Sequence, residues 1–466
     1  MIFKRYIKII IIFLVCFFIF ILGLYLLSQD SSSLISKKIK DKVPHEIKFF
    51  LKKTIFYLPH TKREFNKLSN DVQKVYEENE KLILERDKFK NIIDTGKYKV
   101  EKFNTDKFKF FSLIVPFNNK ENLYLNKKSG YIEIYKNFII NIFSAGKIIF
   151  IDKEKFYRGK LDYFEIESNL NLNPPFKHNI KWTGIKDIAV IKDEIFISLT
   201  EEIKEDCYNT SLYKAKLNFK FMNFKKIYGT NNCSLLNKEI SAFRYFNGHQ
   251  TGGRIINVKN KIYFTIGDYN DWEKVQNLDK NNGKIIEIDL DNKDIKIISM
   301  GHRNPQGLYY LTEYNKLIST EHGPKGGDEI NLIDLNKSSI SNYGWPISSY
   351  GSHYDVVPLN KYTNKVAPLK KSHSQFGFIE PLKYFQDSIG ISEIITNYYD
   401  KNSIFVTSLK SKTIFEIIFN NNLSDLKIVN EILLGERIRD IVYDNEKSCY
   451  IIYGESTPKL ISMCLN

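Results

Sequence analysis

Residues 184–200 read GIKDIAVIKDEIFISLT, and this stretch carries the pattern that decides the fold. Two short apolar runs flank the polar pair Lys192–Asp193, which is typical of two β-strands joined by a tight turn. Runs of the same kind, such as KIYFTIGD, SIFVTSLK and TIFEIIF, recur between turn residues over residues 108–466. So many short strands are too much for one sandwich and favour a β-propeller of about six or more blades.

The composition is that of a folded chain rather than a disordered one. The 466 residues are 43% hydrophobic and 14% aromatic, which is enough apolar material for a sizeable core. Lys and Arg total 69 against 54 Asp and Glu, so the formal net charge is +15. No long run of consecutive basic residues concentrates this charge, and we therefore expect no nucleic-acid partner.

An uncharged apolar run, IIIIFLVCFFIFILGLYLL, occupies residues 9–27. A helix of about 20 such residues spans the core of a bilayer, and the run is longer than the apolar region of a typical signal peptide. Lys4, Arg5 and Lys8 precede it, which favours a cytoplasmic N-terminus. We therefore expect an uncleaved single-pass membrane anchor, with the bulk of the chain outside the cytoplasm; a cleaved signal peptide is the alternative.

Residues 29–105 differ in pattern from the rest of the chain. Apolar residues recur with helical spacing from Phe65 to Ile93, and neither Gly nor Pro falls between Thr61 and Asp94. This pattern predicts a helix of about 30 residues within a membrane-proximal helical stalk. Its apolar face could form a dimer by coiled-coil pairing, or could pack on the chain's own folded domain.

Four of the five cysteines lie outside the apolar N-terminal run: Cys207, Cys233, Cys449 and Cys464. An even number permits two disulfides in an oxidising compartment. Cys449 and Cys464 would face each other if the segment between them is a hairpin. Buried free thiols remain the alternative.

The polar, Gly-rich segments cluster after residue 246. The first, NGHQTGGRIINVKNKIYFTIGD, places His249 in a loop before one strand and Asp268 beyond the next. A histidine so placed could act as a general base, and an aspartate could orient its imidazole. A purely structural histidine is the alternative.

Two further segments, GHRNPQGLYY (301–310) and EHGPKGGDEINLI (321–333), supply polar loops. Arg303 and Asn304 precede a proline, so we expect them on an extended loop. The turn at His322–Pro324 could direct carbonyl oxygens at a hard cation, because oxygen ligands suit such ions.

Basic residues also come from separate segments. SLK ends in Lys410, and RIRD places Arg437 and Arg439 on one face of a strand. Together with Arg303, these residues make four cations, a set that suits a polyanionic ligand bearing carboxylates. Solvated surface charges are the alternative.

Taken together, these motifs resemble soluble pyrroloquinoline quinone (PQQ)-dependent glucose dehydrogenase and the related aldose sugar and sorbosone dehydrogenases. The matching strings are HQTGGRIINVKNKIYFTIGD, GHRNPQGLYY, EHGPKGGDEINLI, NYGWP, SLK and RIRD, in that order. The resemblance covers residues 175–466 well and 108–174 loosely. It implies an all-β, six-bladed β-propeller over residues 108–466, with PQQ over its axis.

The resemblance also implies roles for individual residues. His249 would take the proton from the sugar's anomeric hydroxyl, Asp268 would support it, and Arg303 would stabilise negative charge on the reduced quinone. The remaining residues expected to bind the cofactor are Asn304, His322, Ser388, Lys410, Arg437 and Arg439.

Two calcium sites follow from the same resemblance. The carbonyl groups of Gly323 and Pro324 match ligands of a Ca²⁺ ion that bridges to PQQ. Glu329 and the carbonyl of Tyr343 match a second, structural Ca²⁺ site.

Some positions depart from the family pattern. Gly248 stands where glucose-oxidising members carry a sugar-contacting Asp, Trp182 lies near the position of a substrate-contacting Gln, and His322 replaces a cofactor-side Gln. A cofactor-loop string of the WTPS type is reduced to FQDS, which contains Ser388. The cofactor scaffold is therefore better retained than the sugar contacts.

The expected activity is PQQ- and calcium-dependent oxidation of an aldose or related sugar to its lactone, by a membrane-anchored periplasmic quinoprotein with an unidentified electron acceptor. One alternative is a non-catalytic extracytoplasmic propeller that binds a protein or glycan. Another is a calcium-dependent lactone hydrolase, which needs a carboxylate-rich axial metal cage. The mainly basic channel candidates count against the hydrolase.

Overall fold

The computed structural model describes residues 101–116, 128–170, 184–229, 233–235, 248–355, 357–420 and 422–466. The predicted anchor at residues 9–27 lies outside the described residues, as does the stalk up to residue 100. No helix within the described part of the chain has both the length and the apolar character needed to span a bilayer.

Within the described residues, six sheets of four or five strands follow one another in sequence, so the predicted six-bladed β-propeller is confirmed. Two strands precede the first complete blade: β1 (Glu101–Asn104) and β2 (Phe108–Ile114). The first blade contains β3 (Gly130–Tyr135), β4 (Phe138–Phe143), β5 (Ile148–Asp152), β6 (Tyr163–Ser168) and, at its edge, β10 (Phe221–Met222). The second contains β7 (Gly184–Ile191), β8 (Glu194–Lys204), β9 (Cys207–Lys216), β11 (Lys225–Tyr228) and β12 (Ser234–Leu235).

The third and fourth blades carry the longest loops. The third contains β13 (Gly252–Val258), β14 (Lys261–Ile266), β15 (Lys284–Asp289), β16 (Ile295–Met300) and β20 (Ser341–Asn342). The fourth contains β17 (Pro305–Leu311), β18 (Lys316–Glu321), β19 (Asp328–Asp334) and β21 (Lys383–Phe385).

The last two blades complete the ring. The fifth contains β22 (Ile391–Thr396), β23 (Ser403–Ser408), β24 (Thr413–Phe419) and β25 (Leu426–Leu433). The sixth contains β26 (Ile438–Asp444), β27 (Cys449–Gly454) and β28 (Lys459–Leu465), together with β2 and β1. Short helices lie in the connections: α1 (Lys153–Tyr157), α2 (Trp272–Val275), α3 (Lys361–Val366) and 3-10 turns at Thr312–Tyr314 and Ser374–Phe376.

The middle strands of the blades are apolar on both faces because each blade is packed between two others. In β5 the residues Ile148, Ile149, Phe150 and Ile151 are all fully buried. Side chains of β4 and β5 pack with those of β7 and β8 across the interface between the first two blades. Burial on both faces explains why these strands read as continuous runs rather than as alternating ones.

Chain closure joins the two ends of the propeller. β2 pairs antiparallel with β28, from Phe108 opposite Leu465 to Ile114 opposite Lys459, and β1 pairs with β2. The predicted end of the stalk at residue 105 is therefore wrong: Glu101–Asn104 belong to the propeller, because their backbone groups pair with the sixth blade.

The innermost strand of each blade lines the axis: β3, β7, β13, β17, β22 and β26 contact one another in a closed ring. The corresponding positions in these strands are occupied by Tyr131, Asp187, Arg254, Gly307, Glu393 and Asp440. Nη1 of Arg254 lies 2.8 Å from a carboxylate oxygen of Asp187, 2.7 Å from Glu393 and 3.1 Å from Asp440. An arginine surrounded by carboxylates therefore fills the axis. The expectation of mainly basic channel residues is wrong for this inner ring.

Both pairs of cysteines outside the N-terminal run form disulfides. Cys449 lies directly opposite Cys464 in the β27–β28 hairpin, with their Cα atoms 4.5 Å apart. Cys207 is bonded to Cys233, and their Cα atoms are 5.4 Å apart. The disulfide interpretation, rather than that of free thiols, agrees with the structure.

Candidate active site

The chemically distinctive side chains gather on one end of the propeller. In each blade this end is reached by the start of the innermost strand and by the loop after the second strand. At the start of the innermost strands lie His249 before β13, Arg303 before β17, and Arg437 and Arg439 at β26. In the loops after the second strands lie Asp268 after β14, His322 after β18, Lys410 after β23 and Glu455 after β27. The blade repeat therefore brings residues far apart in sequence to one rim.

Asp268 and Arg303 are linked through Gln250, the residue after His249. The amide nitrogen of Gln250 donates to Oδ1 of Asp268 at 2.8 Å, and its oxygen accepts from Nη2 of Arg303 at 3.1 Å. Nε1 of Trp345 donates to the other oxygen of Asp268 at 2.8 Å. Burial raises the pKa of Asp268 to about 7, and the positive charge of Arg303 opposes this rise. Asp268 thus supports the loop that bears His249 by binding its neighbour.

Arg303 is fixed by main-chain carbonyl groups. Its Nη1 donates to the carbonyl oxygen of Gly323 at 2.7 Å and to that of His322 at 3.0 Å. The guanidinium lies 5.4 Å from the centre of the Trp345 ring, within cation–π range. Its Nε is buried without a hydrogen-bond partner among the described residues.

His249 is held in its neutral form. Burial, together with the positive charges of Arg303 and Lys186, lowers its pKa to about 4. A neutral imidazole at physiological pH can accept a proton, which a general base requires. The structure therefore supplies the protonation state that the predicted role needs.

Lys186 is a site residue that the sequence reasoning missed. Its Nζ lies 3.5 Å from the carbonyl oxygen of Gly248, the residue before His249. Burial lowers its pKa to about 7, and the charge of Arg439 contributes in the same direction. The available signal was the charged pair Lys186–Asp187 within the otherwise apolar strand β7, in GIKDIAVI.

Arg437 and Arg439 share one buried carboxylate, Glu455, which the sequence reasoning also missed. Nε of Arg439 lies 2.8 Å from one oxygen of Glu455, and Nη2 of Arg437 lies 2.9 Å from the other. Nη1 of Arg439 donates to the side chain of Gln306 at 3.0 Å. One glutamate partly neutralises two arginines, so the pair retains a net positive charge. Lys410 is exposed on the same rim, after β23.

Asn304 is engaged within the protein. Its side-chain oxygen accepts from Nε2 of Gln306 at 3.0 Å and from the backbone N–H of Gly252 at 3.2 Å. Asn304 and Gln306 thus join the start of β17 to the start of β13 and to Arg439. These contacts hold in place the residues beneath the position where a cofactor would bind.

The carbonyl groups predicted to bind the first calcium ion face side chains. The oxygen of Gly323 accepts from Arg303, as described above, and that of Pro324 accepts from Oγ of Ser388 at 3.2 Å. Burial lowers the pKa of His322 to about 4, against the effect of Asp328. These carbonyl groups have the donor chemistry that calcium prefers. No group of three or more metal-binding side chains lies among the residues with described positions.

The second predicted calcium site is not assembled. Nδ1 of His373 lies 2.9 Å from the carbonyl oxygen of Tyr343, and its Nε2 lies 3.6 Å from an oxygen of Glu329. The imidazole therefore separates the two predicted ligands. Burial raises the pKa of Glu329 well above its ordinary value, which favours the protonated carboxyl group, whereas a calcium ligand is ionised. As placed, these residues do not fit a structural calcium ion.

Comparison with known families agrees with the fold. A family described as Glucose / Sorbosone dehydrogenase matches residues 158–462. Aldose sugar dehydrogenase YliI of Escherichia coli (strain K12) is 31% identical over 237 residues, which cover 46% of this chain and 60% of that protein. The chain thus spans less than two thirds of the length of this curated relative.

Solved structures give the same architecture. The soluble aldose sugar dehydrogenase of Escherichia coli in its apo form superposes with a TM-score of 0.57 at 19% identity, covering 77% of this chain and 100% of that one. The holo form of the pyranose dehydrogenase PQQ domain of Coprinopsis cinerea superposes with a TM-score of 0.50 at 8% identity, covering 79% and 97%. At these identities the likeness concerns the fold alone. The family match extends over more than half of the sequence, and the chain belongs to the glucose/sorbosone dehydrogenase family.

Proposed function

We propose that this protein is a PQQ-dependent dehydrogenase that oxidises an aldose or related cyclic sugar to its lactone. The observation that carries the proposal is a neutral, half-buried His249 beside the Asp268–Gln250–Arg303 chain, on the same rim as Arg437 and Arg439. Membership of the glucose/sorbosone dehydrogenase family supports an oxidoreductase.

The residues on the rim fit a cofactor that carries several carboxylates. Arg437 and Arg439 retain a net positive charge because they share one carboxylate, Glu455. Lys410 adds a third cation, and Arg303 lies on the same rim. Charge-assisted hydrogen bonds from arginine are well suited to carboxylates. These residues would hold PQQ over the end of the axis.

The proposed mechanism assigns one task to each side chain. His249 would accept the proton of the anomeric hydroxyl, since its low pKa keeps the imidazole neutral at pH 7. When bound, PQQ would supply the two-electron acceptor for the hydride that leaves the anomeric carbon. Arg303 would stabilise the negative charge that develops nearby. Asp268 would keep Gln250, and hence the loop of His249, in place.

Calcium belongs to the proposal through the carbonyl oxygens of Gly323 and Pro324. Nη1 of Arg303 lies against the first of these oxygens, at 2.7 Å. A calcium ion there would therefore share its carbonyl ligand with a guanidinium or displace it. We expect calcium to bind together with the cofactor, whose carboxylate would complete the ligand set, and calcium affinity without PQQ to be weak.

We also propose that the propeller functions outside the cytoplasm, attached to the membrane by residues 9–27. The two disulfides, Cys207–Cys233 and Cys449–Cys464, support an oxidising compartment. A sugar is the expected substrate.

A non-catalytic, glycan- or protein-binding propeller is less well supported. Such a protein has no need to bring several cations to one place. Here the charges of Arg303, Arg437 and Arg439 all act on His322. Their convergence favours the binding of an anionic cofactor.

The test is dye reduction by the purified full-length chain, supplied with PQQ and Ca²⁺, across a panel of sugars. We expect PQQ-dependent turnover in the wild type and a loss of at least ~100-fold in kcat for His249→Ala, since general bases contribute about 10²–10⁴-fold. Arg158→Met, which changes an exposed residue after α1, is the control. Full activity of His249→Ala would overturn the mechanism, and absence of PQQ binding would overturn the function.

A further inference from the structure

We propose that the substrate is an anionic sugar, in its simplest form a uronic acid, and that Lys186 binds its acidic group next to His249. The inference deepens the proposed function and rests on it. It concerns the part of the rim that faces the substrate rather than the cofactor.

The first support is the way the fold makes room for Lys186. Lys186 precedes the axial residue Asp187 in β7, and its side chain passes over Gly253 at the start of β13. A Cβ atom at Gly253 would overlap with the Cβ of Lys186 and lie 3.0 Å from its Cγ. Gly253 also has a φ of +113°, a conformation that L side chains rarely adopt. A glycine at position 253 is therefore needed to leave room for the side chain of Lys186.

The second support is the position of the ammonium group. Nζ of Lys186 reaches the carbonyl oxygen of Gly248, which directly precedes the proposed base. The charge of Lys186 acts on His249, and that of Arg439 acts on Lys186. The ammonium group therefore lies beside the loop that presents the proposed base.

The third support is the balance of charge around this point. The charges of Arg303 and Lys186 both act on His249, and the charges of Arg439 and Glu455 act on Lys186. Glu455 is already shared between Arg437 and Arg439. Keeping like charges together in a partly buried pocket costs free energy, which an anionic ligand recovers on binding.

The cofactor already accounts for the other cations. Arg437, Arg439 and Lys410 come from the fifth and sixth blades, whereas Lys186 comes from the second and contacts the loop of His249. A carboxylate, sulfate or phosphate on the sugar would satisfy the same chemistry. Uronic acids, sugar sulfates and sugar phosphates therefore form separate arms of the test.

The test measures equilibrium binding to the PQQ-loaded full-length chain by calorimetry. The probes are methyl β-D-glucuronide and methyl β-D-glucoside, which lack a free anomeric hydroxyl and so cannot be oxidised. We expect the glucuronide to bind about 10- to 100-fold more tightly, the usual range for a charged hydrogen bond. Lys186→Met should reduce this preference to under about threefold, and Lys186→Arg should retain part of it. Lys427→Met, at an exposed site on β25, is the matched control.

A parallel panel compares kcat/KM for free uronic acids, sugar sulfates, sugar phosphates and neutral sugars. Preference for any one anionic class, lost in Lys186→Met through a rise in KM, supports the inference. Equal or better use of neutral sugars by the wild type overturns it while leaving the proposed function intact. A variant Lys186→Met that binds PQQ more weakly but keeps the glucuronide preference would assign Lys186 to the cofactor and also overturn it. Failure of the wild type to bind PQQ would instead overturn the proposed function.

Discussion

His249 illustrates how far single residues could be assigned from the sequence. Its place in a Gly-rich loop before a strand indicated a candidate base, but its protonation state depends on burial and on two cations from other blades. Glu455 and Lys186 could not be assigned in the same way. The lysine within β7 marks Lys186 as unusual, but its role depends on contact with a loop of the next blade. The role of Glu455 depends on the two arginines at the neighbouring strand of its blade. Residue types were predictable, whereas their pairings were not.

The acid limb of the pH profile tests the environment of His249. Its lowered pKa means that the base form is present above about pH 4 and is lost as the pH falls through that value. With a neutral sugar, kcat/KM should therefore decline near pH 4 rather than near the ordinary histidine value of about 6.5. Lys186→Met should move this limb upwards, because it removes one of the two cations that act on the imidazole. A limb near pH 6.5 in the wild type would contradict this account.

At the scale of single elements, the strand pattern predicted the blades but not what lies between the innermost strands. The axial carboxylates bind neighbouring strands as well as Arg254. Oδ2 of Asp187 accepts from the N–H of Ile255 at 2.8 Å, and Oδ2 of Asp440 accepts from that of Ile132 at 2.7 Å. A guanidinium occupies the position in which a hydrolase of this shape would need its metal ion. The carboxylate-rich axis is therefore no support for hydrolysis.

Removal of the Arg254 side chain tests the importance of this axial network. Burial acts to lower the pKa of Arg254, but Glu393, Asp187 and Asp440 raise it above its ordinary value. Arg254→Met would leave these carboxylates buried without their cation. We expect a loss of about 3–5 kcal/mol in the free energy of unfolding, measured by urea denaturation. Arg158→Met, at an exposed site, should change it by less than about 0.5 kcal/mol. Equal effects of the two substitutions would rule out a central role for Arg254.

At the scale of the whole molecule, ring closure depends on pairing between strands at opposite ends of the propeller. The sequence predicted many strands and, by resemblance, six blades. It did not predict that Glu101–Asn104 would join the last blade, because a short strand carries little periodicity and its partner, β2, is itself completed by β28. The disulfide between Cys449 and Cys464 lies within this closing blade.

The closing disulfide should contribute measurably to stability. The bond between Cys449 and Cys464 closes a segment with a sequence separation of 15 residues, for which restriction of the unfolded chain gives about 3 kcal/mol. Cys464→Ser should lower the thermal midpoint, and a reductant should lower that of the wild type similarly. Disulfide mapping by mass spectrometry should find both bonds in protein isolated from an oxidising compartment. A midpoint that is insensitive to reductant and to Cys464→Ser would contradict a stabilising role.

The central claim is that the cation-rich rim binds PQQ next to a working base. Its most direct measurement is a spectroscopic titration of the wild-type chain with PQQ and Ca²⁺, followed by addition of sugar. We predict saturable binding at one site per chain, and conversion of the bound quinone to its reduced spectrum when sugar is added. In His249→Ala we predict that binding is retained and that this reduction is lost. Absence of saturable PQQ binding by the wild-type chain would contradict the account.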